Sequence, residues 1–454
     1  MPSPIAPAAN NDEWRRRLKS LYEAGVRAAQ PAHCLPAFLP DPPAAPSKGR
    51  LVIFAIGKAA ASMAAAAEAW YEEKWLGTRI EGIALTRYGH ACPTRHVEVV
   101  EAAHPVPDAA GMRASERLLA LARGLTIDDR ALILLSGGGS ALATLPAEGL
   151  TLSDKQAVTR ALFAAGLPIS EMNCLRKHLS RIKGGRLAAA IHPAPCTTLA
   201  ISDVAGDDAS TIASGPTVPD PTTLAEARTV LERLSGQLDR ETMEQVSRVL
   251  EESGETPKPG DPAFRNDSYR IVASGTSALD AAAALARDWG YEPVQLGDEV
   301  EGEARDVAAT HAELACRLGK EGRRAAILSG GEVSVTFDTQ TEAGTRGGPS
   351  QEYALALAIV LEGTPGIAAL AGDTDGIDGG SGDENDPAGA YVLPDTLCRA
   401  ANAGLDAKNQ LDRHDSGAFF DKIGDLLRTG PSFTNVNDFR VILVEPGDSP
   451  HPPD

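Results

Sequence analysis

The sequence lacks most of the features that would assign it at a glance. It has six cysteines, at positions 34, 92, 174, 196, 316 and 398, and no Cys-x-x-Cys pair. That spacing excludes a zinc ribbon or finger, and a chain of 454 residues needs no disulfide framework to hold a core. No apolar run approaches the ~18 residues that a membrane helix requires. Met1–Asn11 has neither the basic flank nor the apolar core of a secretory signal, so reduced thiols and a cytoplasmic location are expected. Positive charge is scarce too. Lys and Arg number 43 against 62 Asp and Glu, a formal net charge of −19. A field of that sign repels nucleic acid and anionic membranes, so neither is an expected partner.

The familiar nucleotide loops are missing as well. No G-x-x-x-x-G-K-[ST] string occurs, and the dinucleotide fingerprint G-x-G-x-x-G fails at Leu142 when counted from Gly137. The Asp-rich stretch at 373–378 is not a calcium loop, because Asp378 stands where an EF-hand needs glycine.

What is present is an α/β rhythm. The length favours two domains. Leu51–Ile56, Ala131–Leu135, Tyr269–Ala273 and Ala325–Leu328 are short apolar runs, most of them leading into helical patterns. Such strands are buried on both faces, as in parallel sheets covered by helices. Glu13–Ala29 reads as an amphipathic helix with Trp14, Leu18, Leu21 and Val26 near one face. Thr223–Glu252 reads as a long charged helix. The turn-rich stretch between Glu252 and Asp267 is the best boundary, giving domains of 12–252 and 268–445. Val333–Phe337 alternates like a half-exposed strand and Arg440–Val444 is a further strand, so the second sheet is expected to be mixed.

Five places carry residues fit for chemistry. Gly57-Lys58 joins a strand to a helix and is either an anion site or a surface lysine beside a tight turn. Ser136, Gly137, Gly138, Gly139 and Ser140 form a turn whose backbone can approach a phosphate, or a plain strand–helix connection. Asn173–Leu187 is basic within an acidic chain. Asn173, Arg176 and Lys177 are candidates for a substrate anion, and Lys183 with Gly184 for phosphates; the alternative is a solvated helix face. Two acidic clusters follow strands, and Asp203, Asp207 and Asp375 are the candidate magnesium ligands, against simple turn chemistry. Arg346, flanked by glycines, is mounted like an arginine that meets transferred charge, or like a mobile surface residue.

Taken in order, Ala55–Ala59, His104–Asp108, Leu135–Ala141, Arg176–Ser180, Lys183–Gly185, Ser202–Asp207 and Ile212–Thr217 resemble the N-terminal domain of glycerate 2-kinases. Gly330–Glu332, Arg346–Gly348, Asp373–Gly376 and Thr434–Asp438 resemble their C-terminal MOFRL domain. The likeness runs from about Glu13 to Val444. It implies a Rossmann-like three-layer N-terminal domain, a second α/β domain, and a cleft between them. It also implies ATP- and Mg2+-dependent phosphorylation of D-glycerate to 2-phosphoglycerate, with Lys58 and Arg346 as the catalytic basic pair. Small-molecule substrates, glycerate and ATP, are the expected partners, and a homo-oligomer is left open. Pro349-Ser350 departs from the Arg-Asn common in the family. Two other readings stand: an NAD(P)H-dependent hydroxypyruvate reductase, which the missing fingerprint disfavours, and a non-catalytic small-anion binder, which the aspartate clusters disfavour.

Overall fold

The computed structural model describes residues 9–43, 49–337, 345–379 and 385–446. The apolar runs become the strands of two six-stranded sheets. The first contains β1 (Leu51–Ile56), β2 (Ile80–Arg87), β3 (Val97–Ala102), β4 (Arg130–Leu135), β5 (Cys196–Ile201) and β6 (Ser268–Ala273), in the order β3-β2-β1-β4-β5-β6. All pairings from β3 through β5 are parallel. Every residue of β1 is buried, as a strand covered on both faces must be. On one face Val52, Phe54 and Ile56 pack with Ile133 and Leu135 under Leu118, Leu187 and Ile191. The helix Ala60–Lys74, with Ala60, Met63, Ala64 and Ala67 buried, packs against β1 and β2.

The second sheet contains β7 (Glu292–Gln295), β9 (Ala325–Ser329), β11 (Ile367–Asp373), β12 (Gly389–Val392), β13 (Leu426–Leu427) and β14 (Asp438–Val444), in the order β13-β12-β11-β14-β9-β7. It is mixed: β7 pairs with β9 in parallel and the rest are antiparallel. Alternate residues of β14 serve two cores. Ile442 and Val444 face the helices Ala304–Lys320 and Pro349–Leu361, while Val441 and Leu443 face Ala9–Ala29 and Gly275–Asp288.

Four expectations change. The helix Ala9–Ala29 does not belong with residues 31–252. Its apolar stripe of Trp14, Leu18, Leu21, Tyr22 and Val26 packs with Leu279, Ala283, Phe439 and Val441. Each large side chain buried there contributes about 1.5–3 kcal/mol, and Tyr22 Oη donates to the Asp373 carbonyl at 2.6 Å. The described residues up to Gln30 and those from Ala273 onward therefore form one compact unit, and Pro31–Val272 the other. Second, β6 completes the first sheet beside β5, so the boundary falls after Val272 and not before Asp267. Third, the long charged helix is two helices, Leu224–Arg233 and Arg240–Ser253. The break carries Gly236 at φ +88°, and each helix has its own cap, Thr223 with Glu226 and Asp239 on the Thr242 amide. Fourth, only Val333–Ser334 of the expected alternating strand is paired, with Gly302–Glu303; these are β10 and β8.

Candidate active site

In the first sheet the strand order reverses between β1 and β4, and such a switch point leaves a crevice at the carboxyl ends of the strands. The two loops found there are Gly57-Lys58 and Ser136–Ser140. Their backbones are joined: the Lys58 amide donates to the Gly137 carbonyl at 2.8 Å, the Ser136 amide to the Ile56 carbonyl at 3.0 Å, and the Ala59 amide to Ser136 Oγ at 3.0 Å. A Cβ at Gly57 would overlap Ser136, so glycine is required by the close approach. Gly138 lies in the left-handed region at φ +78°, and a Cβ there would stand 3.0 Å from the His104 ring and 3.3 Å from Lys58 Cγ. Lys58, His104 and the glycine turn thus share one neighbourhood. His104 was visible in the sequence only as part of a family motif.

The basic segment is not a solvated face. Its helix, Ile169–His178, ends before Ser180, and Asn173, Lys177, Ser180 and Lys183 are all buried. Lys177 Nζ pairs with Asp220 Oδ1 at 3.2 Å. Burial pushes the Asp220 carboxyl up, but Lys177 and hydrogen bonds from Thr222 and Thr256 outweigh it and hold the group below its usual range. Lys183 Nζ donates to the carbonyls of Ser140 at 2.8 Å and Ala143 at 3.2 Å, so it braces the glycine turn. Burial, with Lys155 and Arg176 nearby, holds its pKa far below that of a free lysine. Gly184 donates its amide to the Ser214 carbonyl at 3.0 Å.

Two residues here were given no role by sequence reasoning, Ser214 being visible only inside the family motif Ile212–Thr217. Lys155 is 5 % exposed on the helix Leu152–Ala164, on the same stripe as Val158, Ala161 and Leu162. A lysine in register with an apolar stripe was the available signal. Burial and Arg176 push it down to about 7. Ser214 is fully buried and lies 2.7 Å, oxygen to oxygen, from Ser140, and its hydroxyl donates to Asn173 Oδ1 at 3.4 Å. It sits at φ +61°, directly after Ala213 at φ +51°. Two successive non-glycine residues in that region cost on the order of 1–3 kcal/mol each and tend to mark functional sites. The segment is held against the turn, where a Cβ on Gly139 would come within 2.8 Å of Ala213 Cβ.

The acidic candidates divide. Asp203 and Asp207 follow β5 and are partly buried, with Asp207 at φ +56°. Their neighbour Asp208 is a turn builder, accepting from the Ser210 amide, Ser210 Oγ and Thr211 Oγ1 at 2.8–2.9 Å. Among the described residues no group of three or more His, Cys, Asp or Glu could hold a metal ion. Magnesium, however, often takes only one or two carboxylates and completes its shell with water and phosphate oxygens. Asp203 and Asp207 fit that role in residue type.

In the other unit Asp375 is buried, and its Oδ1 accepts the Ile377 amide at 2.9 Å. The Arg346 amide donates to Asp415 Oδ1 at 2.9 Å, and its carbonyl accepts the Gly417 amide at 2.7 Å. Its side chain is 62 % exposed, with the guanidinium 3.5 Å from Asp421. Gly344, which begins the expected loop, lies outside the described residues. The departing Pro349-Ser350 opens the helix Pro349–Leu361, with proline in the first turn where no amide is missed. Ser350 is buried, donating its amide to Asp378 Oδ1 at 2.9 Å and its hydroxyl to Asp438 Oδ1 at 3.1 Å.

Asp378 also accepts the Gln351 amide at 2.8 Å, yet burial and the nearby Asp438 push its carboxyl up to about 7. In the unfolded chain an aspartate titrates near ~3.9. The protonated group therefore stabilises the fold fully below that pH, and the contribution is lost as pH rises toward 7. Asp378→Asn should flatten the fall in melting temperature between about pH 4 and 7. An unchanged slope in thermal scans across that range would remove Asp378 as its source.

Comparison with known proteins bears on this geometry. Residues 17–251 match the model of a domain of unknown function (DUF4147), and residues 325–438 match the MOFRL family. A D-glycerate 2-kinase of Thermotoga maritima is 38 % identical over 401 residues, covering 87 % of this chain and 91 % of that protein. This chain belongs to the glycerate 2-kinase family. A relative from Agrobacterium vitis, named putative hydroxypyruvate reductase, is 47 % identical and covers 96 % of this chain and 95 % of its own length. The crystal structure of a glycerate kinase from Thermotoga maritima matches with a TM-score of 0.82 at 34 % identity, covering 95 % of this chain and all of that one. The glycerate 2-kinase fold therefore includes both sheets described above.

Proposed function

We propose that this chain transfers the γ-phosphoryl group of ATP to D-glycerate, forming 2-phosphoglycerate. The observation that carries the reading is the joined pair of loops at the switch point, in a member of a family whose named kinases match it along most of its length. The glycine turn offers backbone without side chains, and Lys58 offers a positive charge beside it. The helix that follows has no acidic residue in its first turn and no side-chain cap, so its amino end is suited to an anion. Phosphoryl transfer spreads charge over the equatorial oxygens, and the protein's task is positioning and electrostatic stabilisation. We assign that task to Lys58 and Arg346, and assign glycerate to Asn173 and Arg176. Lys177 and Lys183 support these groups through Asp220 and the turn carbonyls.

Asp203, Asp207 and Asp375 remain the proposed magnesium ligands; the ion would neutralise phosphate charge when bound. The proposed location is the cytoplasm, where the six unbridged thiols would stay reduced. No helix among the described residues is long and apolar enough to cross a membrane.

The test is turnover of the purified protein with D-glycerate, ATP and Mg2+, read as ADP release and as 2-phosphoglycerate by phosphorus NMR. Oxidation of NADH or NADPH with hydroxypyruvate, without ADP release from ATP, would overturn the proposal in favour of a reductase.

A further inference from the structure

The strained backbone at Ala213 and Ser214 is clamped from two sides. On one side the Ser214 carbonyl accepts the Gly184 amide at 3.0 Å, and the Gly215 carbonyl accepts the Gly185 amide at 2.7 Å. On the other, Ala213 lies so close to Gly139 of the glycine turn that no side chain fits there. The Ser214 amide donates to the Thr211 carbonyl at 2.9 Å and closes a tight turn. Glycine adopts a φ near +60° without steric cost, and serine does not. Gly215, the next residue, sits at φ +58°, while Ser214 holds φ +61° with a side chain that is fully buried. A serine retained at such a position points to a use for its hydroxyl.

The direction of the hydrogen bonds shows what that use is. A serine hydroxyl carries one proton. Ser214 donates its own to Asn173 Oδ1 at 3.4 Å, so in the 2.7 Å contact with Ser140 the donor is Ser140. A relay thus runs from Ser140 through Ser214 to Asn173. It settles which end of the Asn173 amide is occupied: Oδ1 is taken, and Nδ2 has no acceptor among the described residues. Asn173 is buried too, so protein contacts and not solvent set this orientation. The glycine turn does not depend on the relay. The Ser140 carbonyl is held by Lys183 Nζ at 2.8 Å, and the Gly137 carbonyl by the Lys58 amide at 2.8 Å. Loss of the Ser214 hydroxyl therefore bears chiefly on Asn173.

We infer that Ser214 is a positioning residue for the hydroxy acid: it fixes Asn173 so that the amide offers its N–H donors, and not its oxygen, to the ligand. An edge of donors suits the oxygens of a carboxylate, whereas an amide turned the other way would set one acceptor against another. The inference deepens the kinase reading and rests on its assignment of glycerate to Asn173.

The experiment is calorimetric titration of the full chain with D-glycerate and, separately, with ADP. It compares the native protein with Ser214→Ala, Ser214→Gly, Asn173→Ala and the double variant Ser214→Ala with Asn173→Ala. Both Ser214 variants should weaken D-glycerate about 10-fold, within the range by which contacting residues couple, and leave ADP affinity near native. Alanine keeps the strained backbone and glycine relieves it, so the melting temperature should be higher for Ser214→Gly than for Ser214→Ala while their glycerate affinities agree. Once Asn173 is alanine, removal of the Ser214 hydroxyl should weaken glycerate no further. Native glycerate affinity in the Ser214 variants would overturn the inference, as would losses that add in the double variant. Affinity that rises with melting temperature from Ser214→Ala to Ser214→Gly would mark the residue as merely structural and overturn it too. Equal weakening of ADP, or a native protein that does not bind D-glycerate, would have the same result. The kinase reading fails separately, if the native protein with D-glycerate, ATP and Mg2+ releases no ADP.

Discussion

Lys58→Ala and Arg346→Ala should each lower kcat by at least ~10²-fold, the order lost when a preorganised charge donor is removed, with the melting temperature almost unchanged. The structural reason is that backbone contacts, which alanine keeps, hold both residues. Lys58 is held through its amide on the Gly137 carbonyl, and Arg346 through its amide on Asp415 and its carbonyl on Gly417. Alanine keeps all three contacts. What Arg346→Ala removes on the folding side is an ion pair with Asp421 between half-exposed groups, and such pairs contribute little. Arg346→Lys should restore only part of the rate, since a point charge replaces a planar fork. Steady-state kinetics beside thermal scans separate the outcomes. Near-native turnover at either position would remove that residue from the mechanism, and parallel loss of activity and melting temperature would mark it as structural.

Gly138→Val should abolish most activity while the fold survives. Valine meets two obstacles there. Its backbone would be strained at φ +78° by about 1–2 kcal/mol, which a protein with several buried cores tolerates. Its side chain would also enter the space between the His104 ring and Lys58 Cγ, displacing the lysine from the turn. A shift of about 1 Å in a positioning group can cost ~10²-fold in rate, so kcat/KM should fall at least that far. Gly166→Val is the control, because φ is +59° and nothing lies within 4 Å of a Cβ there. It carries the backbone penalty without the collision, and its circular dichroism and activity should both stay near native. Equal activity loss in the two variants would show that strain, and not obstruction of the site, is responsible.

Continuous apolar strands gave the parallel sheet, and the Gly57 and Ser136–Ser140 loops were legible because loops that follow strands tend to carry function. Periodicity was silent wherever the answer depended on a distant partner. The stripe of Trp14, Leu18 and Leu21 shows that a helix packs, but not that Phe439 and Val441 cover it. The run Tyr269–Ala273 shows a strand, but not that it extends the first sheet beside β5. Charge misled in the same way. Lys177 looked free to hold a ligand until Asp220, 43 positions away, took it, while Lys155 drew no attention although it is buried. Ser214 was hidden for another reason: the strain at Ala213 and Ser214 is a backbone property that no residue type there announces.

The chain begins in one compact unit, builds the whole of Pro31–Val272 as another, and then returns to finish the first. On the ribosome, the helix Ala9–Ala29 therefore emerges long before Leu279, Phe439 and Val441 exist to cover it. At ~5–20 residues per second its apolar stripe waits on the order of ten seconds or longer. During that interval the inserted unit can fold by itself, since among the described residues the clusters built on its helices and sheet hold nothing beyond Ile271. The helix is left as bait for chaperones or for a neighbouring nascent chain. The same connectivity means that a clone starting at residue 273 would make a sheet with one face covered only by Gly275–Asp288, so the two halves of this gene are not the two halves of its protein.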